Sequence, residues 1–165
     1  MKNFTFHTPT KVFFGKGTEK QVAEVIRSYG FSKVLFHYGS GSIKKSGLYD
    51  VVVASLKESG IDYVELGGVE ANPKLSLARK AAELAKSEKV DMILAVGGGS
   101  VLDSAKAAAA GAYYDCDPWE FSSKKRAPEK ALPVGTILTL AASGSEISDS
   151  CVITNEDGWL KRGFN

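Results

Sequence analysis

The chain has 165 residues, 44% of them hydrophobic and 24% charged, and carries a net charge of +2. That length allows one domain with a substantial core, and the near-balanced charge lacks the basic excess of a nucleic-acid binder. No apolar run approaches the ~18 residues of a membrane span, nothing resembles a signal peptide, and Cys116 and Cys151 have no CxxC spacing. A cytoplasmic protein with no membrane or nucleic-acid partner is therefore expected.

Residues 3–14 are rich in aromatic and β-branched side chains and suit a pair of strands broken near Pro9. Thr18 is placed to cap a helix with Val22, Val25, Ile26 and Tyr29 on one face, ended by Gly30. Residues 33–37 read as a buried strand, followed by the turn Gly39-Ser40-Gly41-Ser42. A helix carrying Leu48, Val51, Val52 and Leu56 runs to Gly60. A short strand over 61–66 is broken by Gly67-Gly68, and Asn72-Pro73 predicts a capped helix over 75–89.

The organising stretch comes next. The strand 90–96 stops at Gly97-Gly98-Gly99-Ser100, and an alanine-rich helix over 100–110 begins at once. Residues 111–130 are an irregular excursion. A strand over 132–138 leads into the small-residue turn 139–145. A strand over 151–154 and a turn at 155–158 follow, and no closing element is expected after them. Strands alternating with helices imply βαβ units and a parallel sheet.

Side-chain-free residues at Gly97, Gly98 and Gly99 let a ligand approach the backbone. The first helical amides lack intrahelical acceptors and favour negative charge. The turn therefore reads as a phosphate cradle; the alternative is a glycine turn that only permits close packing. Three loops after strands, 39–42, 97–100 and 139–145, share Gly, Ser, Thr and Ala chemistry and would suit one dinucleotide. The 39–42 turn lacks the carboxylate that would bind a ribose 2′-hydroxyl, while Lys44 and Lys45 stand nearby as cations. Asp103 is placed in the first turn of the helix, as a complement to the helix dipole or a group facing the ligand's reacting end. His37 reads as a packed or hydrogen-bonded histidine. His37 and His7 have no carboxylate cluster beside them, so no metal site is expected in this chain.

Taken together, Pro9 through Gly17, Tyr38 through Lys44, Leu66 through Pro73, Ala95 through Asp103 and Thr139 through Glu146 resemble the N-terminal domain of the iron-containing (group III) alcohol dehydrogenases, especially the NADPH-dependent butanol dehydrogenase branch. The resemblance implies an α/β, Rossmann-like, parallel-sheet dinucleotide-binding domain over 1–165, with an N-terminal strand pair and with the family's helical C-terminal domain absent. It implies hydride transfer between nicotinamide and a primary alcohol or aldehyde, assisted by a divalent iron or zinc. Gly39, Ser40, Gly41 and Ser42 are expected to bind the cofactor. By similarity Gly99 and Ser100 hold the pyrophosphate, with Gly97 and Gly98 in the same cofactor-binding turn; Thr139 and Ser143 line the cofactor, Val152 and Lys161 close over it, and Asn72 lies close to it. Asp103 is expected near the nicotinamide. Gly39 falls where NAD-preferring relatives carry an aspartate, which favours NADP over NAD. Ser40 departs from the glycine frequent in close relatives. The family's metal ligands, an aspartate and three histidines, lie in a part beyond Asn165, so no metal is expected here and the chain alone is expected to be inactive. A homodimer through the N-terminal strands is also expected. Two alternatives stay open: a non-catalytic nucleotide-binding module, and a relative resembling glycerol dehydrogenase or dehydroquinate synthase.

Overall fold

Four apolar runs become four parallel strands: β1 (Lys33–Gly39), β2 (Asp62–Val69), β3 (Met92–Gly97) and β4 (Val134–Leu138). Their order in the sheet is β2-β1-β3-β4. The computed structural model describes every residue except Met1, Lys2, Phe4, Phe6 and Asp115. All six residues of β3 are buried, as are the five central residues of β1. A parallel strand covered on both faces reads as a continuous apolar run, which is why these two are conspicuous in the sequence.

Side chains alternate across the sheet. Val34, Phe36, Met92, Leu94 and Val96 pack on one face with Ala23 and Ile26 of α1 (Val22–Ser28) and with Val52 and Leu56 of α3 (Leu48–Glu58); the short α2 (Ser42–Lys45) precedes α3. Leu35, Ile93 and Ala95 pack on the other face with α4 (Leu75–Ser87) and α5 (Gly99–Tyr113). Ala78, Ala81, Ala82 and Ala85 of α4, and Ala105, Ala108 and Ala109 of α5, are buried. Such small residues let the two helices lie close together on the sheet. A single turn of helix, α6 (Trp119–Ser122), interrupts the excursion after α5.

The strand order decides where a ligand fits. The connection from β1 to β2 runs to one side, and the connection from β2 to β3 crosses to the other. The order therefore reverses between β1 and β3, and the crevice at their carboxyl ends is the switch point where such sheets bind ligands. The turns 39–42 and 97–100 flank that crevice.

Several sequence expectations are corrected. Among the described residues of 3–14 no strand forms, and Val12, Phe13 and Phe14 are exposed; a strand exists only by pairing, and these residues pair with neither edge of the sheet. Phe4 and Phe6, part of that expectation, lie outside the described residues. Thr18 does not cap by accepting an amide bond. It begins a 3-10 turn and its hydroxyl donates to the Gly15 carbonyl. β2 runs through Gly67-Gly68 instead of breaking there. The chain does have a closing element, because β6 (Leu160–Phe164) pairs antiparallel with β5 (Cys151–Asn155). Cys151 and Ile153 of this hairpin pack on Leu75, Ala78 and Ala107, which seats it against α4 and α5.

Asn72 is likewise not the cap of α4, which begins after Lys74 without a side-chain cap of its own. Asn72 adopts φ 56°, a left-handed conformation that Asn tolerates well. The capping role passes to Glu156, in the turn between β5 and β6. Its carboxylate accepts from the Ser76 amide at 3.2 Å and from the Ser76 hydroxyl. The nearby amide of Thr154 donates to the Pro73 carbonyl at 2.9 Å.

Candidate functional site

The three glycines after β3 divide their work. A Cβ on Gly97 would lie 2.5 Å from Val101 Cγ2, so this glycine is demanded by packing of the turn on its own helix. A Cβ on Gly99 would lie 3.1 Å from Ser143 Oγ, which shows that the 139–145 loop closes on the start of α5. A Cβ on Gly98 would meet nothing within 4 Å. Its backbone therefore faces open space at the mouth of a 15-residue helix. Gly98 is the N-cap, and its carbonyl accepts from Val101 and Leu102. The amides of Gly99 and Ser100, one and two residues into the helix, have no intrahelical acceptor, and the helix dipole adds partial positive charge there. Packing thus accounts for Gly97, while Gly98 is not demanded by packing and leaves the helix mouth open.

The remaining candidates gather on the same rim. Gly39 ends β1, and a Cβ there would meet Val69 O at 3.5 Å and Val101 Cγ2 at 3.8 Å, ordinary contacts that leave room for a side chain. The lack of a carboxylate at Gly39 is thus a matter of chemistry, not of space. Ser40 and Ser42 are exposed, and Gly41 is open on its Cβ side. Thr139 follows β4, and its amide donates to the Gly97 carbonyl at 3.0 Å, tying the third loop to the second; its side chain and that of Ser143 are exposed. Asn72 and Lys161 meet directly, Lys161 Nζ donating to Asn72 Oδ1 at 2.7 Å. They join the loop after β2 to β6, opposite Thr154.

Asp103 stands one residue beyond the first turn of α5, which holds no acid, so the dipole reading does not apply. Its two oxygens are both engaged: Ser145 Oγ donates to Oδ1 at 2.7 Å, and the Val152 amide donates to Oδ2 at 3.2 Å. Lys106 donates to Ser145 Oγ at 2.9 Å and to the Ser150 carbonyl at 2.7 Å. Burial, against the pull of Asp103, lowers the Lys106 ammonium from its ordinary value. Asp103 and Lys106 together fasten the 145–152 segment to α5. Sequence reasoning missed Lys106 and Ser145. The available signal was the i, i+3 spacing of Asp103 and Lys106, which puts both on one helix face.

His37 is a packed, hydrogen-bonded histidine. It is fully buried, with Nδ1 2.7 Å from the Leu66 carbonyl and Nε2 2.9 Å from Ser104 Oγ. A carbonyl only accepts, so Nδ1 carries the proton and Nε2 accepts from the serine. Desolvation outweighs the bond to Leu66 and lowers its pKa to about 4. Among the described residues no group of three or more His, Cys, Asp or Glu side chains is placed to hold a metal ion. A surface hollow of about 510 Å³ lies beside Arg79, Lys86, Gly111, Cys116 and Asp117. Gly111 is twelve residues along α5 from Gly99, or roughly 18 Å at the helical rise, so this hollow is remote from the rim.

A family model described as Iron-containing alcohol dehydrogenase matches residues 9–165. The chain is 49% identical over 164 residues to the probable NADH-dependent butanol dehydrogenase 1 of Bacillus subtilis, covering 99% of this chain and 42% of that protein. It is 42% identical to the NADPH-dependent aldehyde reductase YqhD of Escherichia coli, over 100% of this chain and 42% of that protein. Among solved structures, NADH-dependent butanol dehydrogenase A from Thermotoga maritima matches with a TM-score of 0.98 at 53% identity, covering 100% of this chain and 42% of that one. The chain thus spans well under half the length of these relatives.

Proposed function

The chain belongs to the iron-containing alcohol dehydrogenase family, and from that membership we propose that residues 1–165 form the dinucleotide-binding domain of an NADP-dependent alcohol dehydrogenase or aldehyde reductase. The observation that carries this reading is the open backbone at Gly98, at the sheet's switch point and the mouth of α5. The amides of Gly99 and Ser100 take the pyrophosphate. Ser40 and Ser42 face the adenosine end, with Gly39 and Gly41 leaving room. Thr139, Ser143 and Val152 line the nicotinamide end, and the Asn72–Lys161 pair borders it. Asp103 acts through Ser145 and Val152, holding the loop that borders the nicotinamide. When bound, the nicotinamide supplies the hydride exchanged with a small alcohol or aldehyde. The iron or zinc associated with the family finds no ligand set among the described residues, so no step is assigned to it.

The names of the relatives divide between NADH and NADPH, and the choice of NADP rests on the chemistry of the 39–42 turn. Titration of this chain with NADPH and NADH, by fluorescence or calorimetry, tests both levels of the reading. Tighter binding of NADPH is expected. Equal affinities or tighter NADH would remove the NADP preference, and no binding of either would remove the site. The chain supplied with NADPH, butanal and iron or zinc is expected to show no turnover. A homodimer is proposed through the N-terminal stretch, where Phe14 is 98% exposed; light scattering during size exclusion reads it directly. Among the described residues, no helix is long and apolar enough to cross a membrane.

A further inference from the structure

One cluster beside the rim is not accounted for by the cradle. Tyr38, the residue before Gly39, and Tyr49, at the start of α3, both donate their hydroxyls to Glu65 of β2. Tyr38 reaches Oε2 at 3.0 Å and Tyr49 reaches Oε1 at 2.8 Å, so each carboxylate oxygen receives one phenol proton. The two rings meet edge to face, with centroids 5.7 Å apart and planes at 72°. Phe36 stacks on Tyr49 from below, at 5.6 Å and 24°. Gly67 completes the arrangement: a Cβ there would lie 2.4 Å from Tyr38 Cε2. The glycine inside β2 is therefore the space into which the Tyr38 ring fits.

Lys44 is seated on this clamp. Its ammonium lies 5.2 Å from the Tyr38 centroid and 4.8 Å from the Tyr49 centroid, within the range of cation–π attraction to both. Phenols that donate to a carboxylate are more electron-rich, which improves their faces as hosts for a cation. The seat is still exposed to solvent, and Lys44 lies in α2, two residues after Ser42, which closes the turn that lacks a carboxylate. Its neighbour Lys45 has no aromatic seat among the described residues.

We propose that Lys44 is the specificity-determining cation for a ribose 2′-phosphate, positioned by the Tyr38–Tyr49–Glu65 clamp beside the Gly39–Ser42 turn. The proposal rests on the NADP reading and sharpens it to one side chain. A preset ammonium loses less side-chain freedom on meeting a phosphate than a free lysine does. Glu65 is the carboxylate that both seating phenols hold. Two phenol protons spread its charge, so it holds the tyrosines and only weakly opposes the phosphate. The clamp residues position the lysine; only Lys44 is assigned to the ligand.

The test uses adenosine 2′,5′-bisphosphate and 5′-AMP, which differ by the 2′-phosphate alone, titrated calorimetrically into this chain. Wild type is expected to prefer the bisphosphate. Lys44→Met keeps the apolar stem over the rings and should weaken the bisphosphate about 10- to 100-fold, the loss of one charge-assisted bond, with 5′-AMP unchanged. Lys44→Arg should keep the preference, and Lys45→Met should leave it intact. Tyr49→Phe keeps the ring but removes one of the two phenol bonds to Glu65, and should weaken the bisphosphate several-fold without altering 5′-AMP. If wild type prefers the bisphosphate and Lys44→Met keeps that preference, the Lys44 assignment falls while the NADP reading stands. If wild type does not discriminate, both fall.

Discussion

His37 provides a measurable acid sensitivity. Its imidazole is neutral in the folded chain, with a pKa lowered from 6.5 to about 4 by burial. Between those values the unfolded chain binds a proton that the folded chain refuses. Stability is therefore complete above pH 6.5, falls as pH drops through that value, and stops falling from this cause below pH 4. The full difference corresponds to about 3 kcal/mol, and about 2 kcal/mol of it is lost between pH 7 and pH 5. Asp91, whose carboxylate receives the Ser32 and Lys33 amides, and Asp117, paired with Arg79, have pKa values held below the usual range, so their losses come at lower pH. Urea unfolding followed by circular dichroism at half-unit steps from pH 7 to pH 5 isolates the histidine. His37→Asn keeps a donor toward the Leu66 carbonyl and cannot take up the proton, so it should start less stable but show a flat profile over this range. A flat wild-type profile, or an equal slope in the variant, would refute the assignment of that slope to His37.

Glu156→Ala should destabilise the chain by about 1 kcal/mol, the worth of a cap plus its dipole interaction, read as a lower urea midpoint with an unchanged slope; an unchanged midpoint would mean that α4 does not depend on this carboxylate. Burial works to raise the Glu156 carboxyl, but the bonds from Ser76 and its own backbone, with the charge of Lys74, together outweigh it, so the effect of the substitution should shrink in acid. Gly97→Ala and Gly98→Ala should separate packing from binding. The first meets Val101 at 2.5 Å and should destabilise by about 1–3 kcal/mol, as overpacking does. The second meets nothing and should leave the melting temperature within a few degrees while weakening NADPH, and a Gly98→Ala chain that binds NADPH normally would show that the open backbone is not the cradle. Asp103→Asn should lower stability by about 1–3 kcal/mol, because an amide NH₂ cannot accept from both Ser145 and Val152; an unchanged melting temperature would remove its bracing role.

The parallel sheet was legible because its signal is local. β1 and β3 are covered on both faces, so their apolar runs are continuous, and the turns that follow carry glycines the backbone requires. β6 was not legible. Its sequence, Leu-Lys-Arg-Gly-Phe, has no apolar alternation and four of its five residues are exposed; it is a strand because β5 offers it an edge. Residues 3–14 are the converse: strong strand composition, but among the described residues no pairing to an edge of the sheet. Gly67 read as a breaker because a strand glycine often is one. The ring that makes it necessary, Tyr38, comes from the neighbouring strand.

The same distinction separates the legible half of the site from the hidden half. The proposed phosphate cradle is made of backbone, and backbone chemistry is announced by glycine and serine at fixed positions after a strand. The groups that hold the rim together are side chains from distant segments. Ser145 lies 42 residues from Asp103, and Glu156 lies 80 residues from Ser76. Local rules assigned the cap to Asn72 and the dipole to Asp103 because each rule was satisfied nearby. The fold overrode both, since a carboxylate carried in on the β5–β6 hairpin reaches the Ser76 amide of α4 directly, while Asp103 is needed to anchor the segment leading into that hairpin. The hairpin is thus the piece that ties α4, α5 and the loop after β2 to one another. It is bound to α4 through Glu156, to α5 through Asp103, and to the loop after β2 through Lys161.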